Sequence, residues 1–122
     1  MGYDGIERRK SPRFLFETYG EMNGELEGKP LSIYIENIGS GGAMVFSSYR
    51  PVENERLRIQ FIRQEREFFL NAHCISHKEI SEKRQHILQI AKNMDFVYRL
   101  NLKFENKLSK EDMEFIGEMS HG

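Results

Sequence analysis

The sequence predicts an all-β fold, a small antiparallel barrel or sandwich closed by one short C-terminal helix. Short segments alternate apolar and polar residues with a period of two, glycine-rich turns separate them, and one capped helical stripe follows the last of them. At 122 residues the chain suffices for one domain with a core and is short for two. Hydrophobic residues make up 39% and charged residues 30%, so the core must come from patterning and not from apolar content.

Residues 1–13 read as a flexible arginine-rich arm, and the folded domain is expected over 14–122. The arm has Gly2 and Gly5 without apolar periodicity, followed by the basic run Arg8, Arg9, Lys10, Ser11, Pro12, Arg13. From Phe14, Phe16 alternates with Glu17 and Tyr19, and Gly20 to Gly28 reads as a loose turn. Leu31, Ile33 and Ile35 alternate with Ser32, Tyr34 and Glu36 until Asn37-Ile38-Gly39-Ser40-Gly41-Gly42, whose glycines are expected to interrupt the ladder. Ala43 to Phe46 resumes as strand. In Arg56 to Ile62, Leu57, Ile59 and Phe61 face one side and Arg56, Arg58 and Gln60 the other, a half-buried antiparallel pattern.

Phe68 to His77 is the next strand, with Leu70, Ala72 and Cys74 on one face. Over 81–95 the pattern fits either a short helix or a strand, and a hairpin through Asn93, Met94 and Asp95 is the favoured reading. Tyr98 to Phe104 alternates again, with Leu100, Leu102 and Phe104 inward. Ser109 caps a terminal helix, with Leu108 and Met113 at the staple positions; Met113, Ile116 and Met119 form its apolar stripe, flanked by Phe115.

Composition narrows the function. No apolar run approaches the roughly 18 residues of a membrane helix, and the chain opens on a charged stretch instead of an apolar leader, so a cytoplasmic protein without membrane insertion is expected. The lone Cys74 cannot form an internal disulfide and reads as a small buried hydrophobe. A net charge of −1 argues against a nucleic-acid polymer as partner and leaves any anion binding to a local patch. On a regular strand His73 and His77 stand about 13 Å apart with Cys74 on the opposite side, so no metal site is expected. No nucleophile and base share a supporting spacing, Glu65, Glu67, Glu79 and Glu82 read as solvated carboxylates, and enzymatic activity is not expected. Tyr34 and Tyr98 read as packing aromatics before base-stacking ones.

Two features remain: the basic arm and the glycine corner. Arginine grips phosphate bidentately, reads the O6/N7 edge of guanine and stacks on purine faces. Glycine lets a ligand approach backbone without interference from Cβ, and Asn37 beside it can bond a purine edge.

Together they resemble the PilZ domain family. Arg9-Lys10-Ser11-Pro12-Arg13, preceded by Glu7 and Arg8, is similar to that family's pair of arginines three residues apart. Asn37-Ile38-Gly39-Ser40-Gly41-Gly42 resembles its second motif, Asp/Asn-x-Ser-x-x-Gly, followed by Ala43. The likeness extends through the strand at Tyr98 to Phe104 and the Leu108-Ser109-Lys110-Glu111-Asp112 helix start. It implies a six-stranded antiparallel barrel that binds cyclic di-GMP, often as a stacked dimer of the ligand, with the arm folding over it and no cofactor. By the same resemblance Arg9 and Arg13 bind phosphates and guanines with Arg8 assisting, Asn37 bonds a guanine, Gly39 and Ser40 line the corner, and Gly42 shapes the turn.

One position departs. Gly39 stands where the motif has serine, and Ser40 comes one place late, to point elsewhere on a regular strand. Losing one hydroxyl hydrogen bond costs about 0.5–1.5 kcal/mol, roughly 2- to 12-fold in affinity, whereas each charge-assisted arginine contact is worth about 1.5–3 kcal/mol. A weakened but retained site is therefore expected. The resemblance implies a cyclic di-GMP receptor that changes its surface on ligand binding to regulate a protein partner in motility, biofilm or related behaviour; the oligomeric state, monomer or homodimer, is left open. The alternative is a degenerate barrel, without ligand, serving as a protein-interaction adaptor; Gly39 favours it and the arginines oppose it.

Overall fold

A computed structural model describes residues 13–24, 29–84 and 96–121, with only the backbone of 13–15, 17 and 118–121. Six strands, β1 (Arg13–Gly24), β2 (Leu31–Gly39), β3 (Gly42–Ser47), β4 (Leu57–Arg63), β5 (Arg66–Glu79) and β6 (Tyr98–Phe104), form a closed barrel in the order β1-β2-β3-β6-β5-β4. Every pairing is antiparallel, and β4 closes the barrel on β1. The barrel alternative is thus realised over the sandwich. Closure leaves no unpaired edge.

The core is the inward half of each alternating strand: Ile33 and Ile35, Val45, Leu57, Ile59 and Phe61, Ala72, Leu100 and Leu102 are all buried. The C-terminal helix α1 (Lys110–His121) covers one end. Ser109 Oγ accepts the Asp112 N–H at 3.0 Å, the expected cap. Leu108 and Ile116 are buried in the core, and Met113 and Phe115 pack against it. An aromatic run links strand to helix: Phe16 meets Phe61 edge-on at 5.4 Å, Phe61 stacks on Phe68 at 4.7 Å, and Phe68 meets Phe115 at 6.0 Å. Arg66 locks this end, its guanidinium lying over Phe68 and Phe115 while it pairs with Asp112.

The structure alters several expectations. Gly20 to Gly24 is not a turn but the second half of β1, with Met22 buried between the two glycines. A Cβ on Gly20 would lie 2.7 Å from the Gln60 carbonyl oxygen, and one on Gly24 would collide with the Glu55 carboxylate, so glycine here admits close neighbours. Residues 25–28 lie outside the described residues. Arg13, expected as the last residue of the arm, is the first of β1. Residues 82–84 are helical; the remainder of the ambiguous stretch, with the hairpin expected at Asn93 to Asp95, lies outside the described residues.

Tyr34, assigned to the polar face of β2, is only 4% exposed. It lies on the outer face, where it forms a second apolar cluster with Phe46, Ile80 and Phe96. Ile80 and Phe96 thus cover the outside of β2 and β3, a burial that period-two alternation cannot foresee. Tyr34 stacks on Phe46 at 6.2 Å and Tyr98 packs against the core, so both tyrosines act in packing.

Candidate functional site

The glycine corner proves tighter than expected. β2 runs on to Gly39 and β3 begins at Gly42, leaving only Ser40 and Gly41 as the turn. Ser40 is therefore beyond the strand, not one step along it. Its carbonyl oxygen accepts the Leu108 N–H at 2.8 Å, and the Gly41 carbonyl accepts the Phe104 N–H at 2.8 Å. Both bonds tie the corner to the segment that leads into α1. Neither Gly41 nor Gly42 has positive φ. Gly42 is required for another reason: a Cβ there would run into the Leu102 carbonyl oxygen of β6, whereas one on Gly41 would meet nothing within 4 Å.

A bulge determines where Asn37 lies. Strict alternation from Ile33 and Ile35 would turn Asn37 toward the core and Ile38 toward solvent. The β2–β3 register shifts between Ile35 and Asn37, leaving Glu36 as the extra residue. Ile38 is consequently fully buried, opposite Ala43, and Asn37 is carried to the outer face opposite Met44. Asn37 Oδ1 is buried and finds no hydrogen-bond partner among the described residues. A buried acceptor without a partner costs about 1–3 kcal/mol, which a donor from a ligand would offset.

Glu36 itself is occupied. Arg99 bonds it at 3.2 Å and Arg84 at 3.4 Å, and the Arg84 guanidinium also lies 5.6 Å from the centre of the Phe46 ring. These residues, with Lys78, line a depression of about 370 Å³. Arg84 and Arg99 thus both serve the Glu36 carboxylate.

The arm reaches the barrel at the corner. Arg13 is the cross-strand partner of Gly39, and Leu15 that of Asn37. The two features that flank the first pair of strands in sequence are therefore one inter-strand spacing apart in the fold. Arg8 and Arg9 lie outside the described residues. Gly39, Ser40 and Gly42 are brought together with Arg13 and Asn37 at the end of the barrel where α1 sits.

Register also brings in residues that sequence reading missed. Gly42 pairs with Lys103 of β6, and Lys103 with His73 of β5. A transverse row thus runs Arg13, Gly39, Gly42, Lys103, His73. Only strand order could reveal it, because β6 inserts between β3 and β5. The β5 register also shifts between Cys74 and Ser76, setting His77 opposite the inward Leu100 while His73 stands opposite the outward Lys103. The two histidines occupy opposite faces and cannot share a metal ion, and the described residues hold no cluster of three metal-ligating side chains. Burial pushes the Cys74 thiol up, with backbone hydrogen bonds at Ser76 and Asn101 acting less strongly in the opposite direction, which makes it a poor nucleophile at neutral pH.

The family model described as the PilZ domain matches residues 7–120, from the start of the basic run almost to the end of α1. The chain belongs to the PilZ domain family. This PilZ domain is similar to a solved structure, the PilZ domain with c-di-GMP of YcgR from Escherichia coli, at 17% sequence identity and a TM-score of 0.58, covering 93% of this chain and 89% of that one. At that identity the likeness carries the six-stranded barrel and closing helix. No curated protein matches the chain. Among the described residues of this PilZ domain no helix is long and apolar enough to cross a membrane.

Proposed function

We propose that this PilZ domain is a cyclic di-GMP receptor module that binds its ligand without catalysing a reaction. The pairing of Arg13 with Gly39 carries this reading, because it sets the backbone of the last arginine of the basic run beside the glycine corner. The orphan Oδ1 of Asn37, turned outward by the Glu36 bulge, supports it as an acceptor for a guanine N–H. The structural relative described with c-di-GMP supports the choice of ligand. In this reading Arg9 and Arg13 bind phosphates and guanines, Arg8 assists, Asn37 reads a guanine edge, and Gly39, Ser40 and Gly42 keep the corner clear of side chains.

The bonds from the corner to Phe104 and Leu108 offer a route from ligand to α1, and so to a surface that a protein partner reads. A cytoplasmic bacterial module, regulating motility, biofilm or related behaviour, alone or as a homodimer, accords with this. Gly39 favours the adaptor alternative by removing one hydroxyl, but that loss is smaller than a single arginine contact.

Isothermal titration of the full chain with cyclic di-GMP tests the proposal. The wild type is expected to release heat on binding, and Arg9→Ala and Arg13→Ala each to lose roughly ten- to hundredfold in affinity. Absence of binding at high micromolar ligand would sink the receptor reading and favour the adaptor.

A further inference from the structure

The proposed site draws its cations from one side, the arm that precedes β1. The ligand has two phosphates and two guanines. Arg13 is separated from β6 by three inter-strand steps, about 14 Å along the barrel surface, a span comparable with the breadth of such a ligand. The two residues between them in the transverse row, Gly39 and Gly42, have no side chains. Lys103 and His73 stand on the far side of that gap.

Both face outward. Their strand neighbours Leu102 and Cys74 pair with each other and turn to the core, so Lys103 and His73, also cross-strand partners, lie on the opposite face. Lys103 is exposed and His73 half-buried. Neither makes an ion pair or side-chain hydrogen bond among the described residues. The nearest acid along β6, Glu105, is held by Arg56 at 2.7 Å. The side chains adjoining Lys103 on the outer face, Asn101 and His73, carry no carboxylate, so no acid among the described residues beside it neutralises its charge. In the adjacent row, Asn37, Met44, Asn101 and Ser76 follow one another across β2, β3, β6 and β5, and Asn37 Oδ1 is the orphan acceptor.

Resting on the receptor reading, we propose that Lys103 and His73 form the far half of the cyclic di-GMP platform. The Lys103 ammonium donates to a ligand phosphate across the bare backbone of Gly42, and the His73 imidazole lies against a guanine. An ammonium is a compact donor suited to a phosphate oxygen, and imidazole is among the rings on which bases stack. The ligand is then held between the glycine corner beside Arg13 on one side and β5–β6 on the other.

Titration calorimetry of the full chain with cyclic di-GMP tests this, using Lys103→Gln, Lys103→Arg, His73→Ala and, as a remote control beyond the end of β3 opposite Gly42, the exposed Arg50→Gln. Lys103→Gln is expected to weaken binding roughly ten- to hundredfold and His73→Ala about five- to tenfold, while Lys103→Arg stays within about threefold and Arg50→Gln within about twofold of wild type. Both sites lie outside the core, so thermal melts should coincide with wild type; His73→Gln replaces any early-melting alanine variant. Wild-type binding that Arg13→Ala weakens but Lys103→Gln and His73→Ala leave unchanged overturns this inference and spares the receptor reading. A wild type that does not bind overturns both.

Discussion

Arg13 and Gly39 are direct cross-strand partners, about 5 Å apart between Cα atoms, at the end of the barrel where the C-terminal helix begins. That single pairing sets the last residue of the basic run beside the glycine corner, although two strands separate them in sequence.

The orphan acceptor at Asn37 should separate binding from stability. Asn37→Ala removes a buried oxygen that has no partner among the described residues, so the melting temperature is expected to stay level or rise, while cyclic di-GMP affinity falls about 5- to 30-fold. Parallel thermal melts and calorimetry check this, and a clear loss of stability would mean that Asn37 has a structural partner.

Restoring the family hydroxyl should improve the site. Gly39→Ser is expected to raise affinity by about 2- to 12-fold, the worth of one neutral hydrogen bond. The measurement is a titration against wild type under one buffer. Unchanged affinity would indicate that Ser40, in the turn, already supplies the contact.

The two adjacent glycines should respond oppositely to alanine. Gly42→Ala drives a methyl into the Leu102 carbonyl and is expected to destabilise by about 1–3 kcal/mol. Gly41→Ala meets open space at ordinary φ, and is expected to be neutral or stabilising by up to about 1 kcal/mol through loss of unfolded-state freedom. Urea unfolding of both variants decides it; equal effects would contradict the close approach of β6 as the reason for Gly42.

Cys74 should affect stability at alkaline pH. Burial raises its pKa in the folded chain above the unfolded value, so the folded state holds the proton more tightly. The stability this confers is complete below the unfolded thiol pKa, about 8.5, and is lost as pH rises through the higher folded value. The difference in urea midpoint between wild type and Cys74→Ala is therefore expected to shift against the wild type as pH rises from 8 toward 10. A difference independent of pH would show that the thiol is not desolvated.

The adaptor and receptor readings meet in one relationship, the bond from Leu108 N–H to the Ser40 carbonyl. In an adaptor the corner simply anchors α1, whereas in a receptor it also reports ligand occupancy to α1.

Local chemistry was legible in the sequence. The alternation of Leu57, Ile59 and Phe61, the inward set Leu100, Leu102 and Phe104, the Ser109 cap and the two family motifs each depend on residues a few positions apart, where steric and hydrogen-bonding preferences act directly. The tertiary structure alone decided what depends on pairing between distant segments: the barrel's strand order, the burial of Tyr34 beneath Ile80 and Phe96, and the row that joins Arg13 to Lys103 and His73. The Glu36 bulge is the sharpest case. One extra residue in a ladder reverses every later side chain, and whether it forms depends on which register best buries Ile38 against β1 and β3, a comparison of long-range contacts that no local pattern encodes. If Ile38 faced solvent, Asn37 would lie in the core and the proposed guanine contact could not exist.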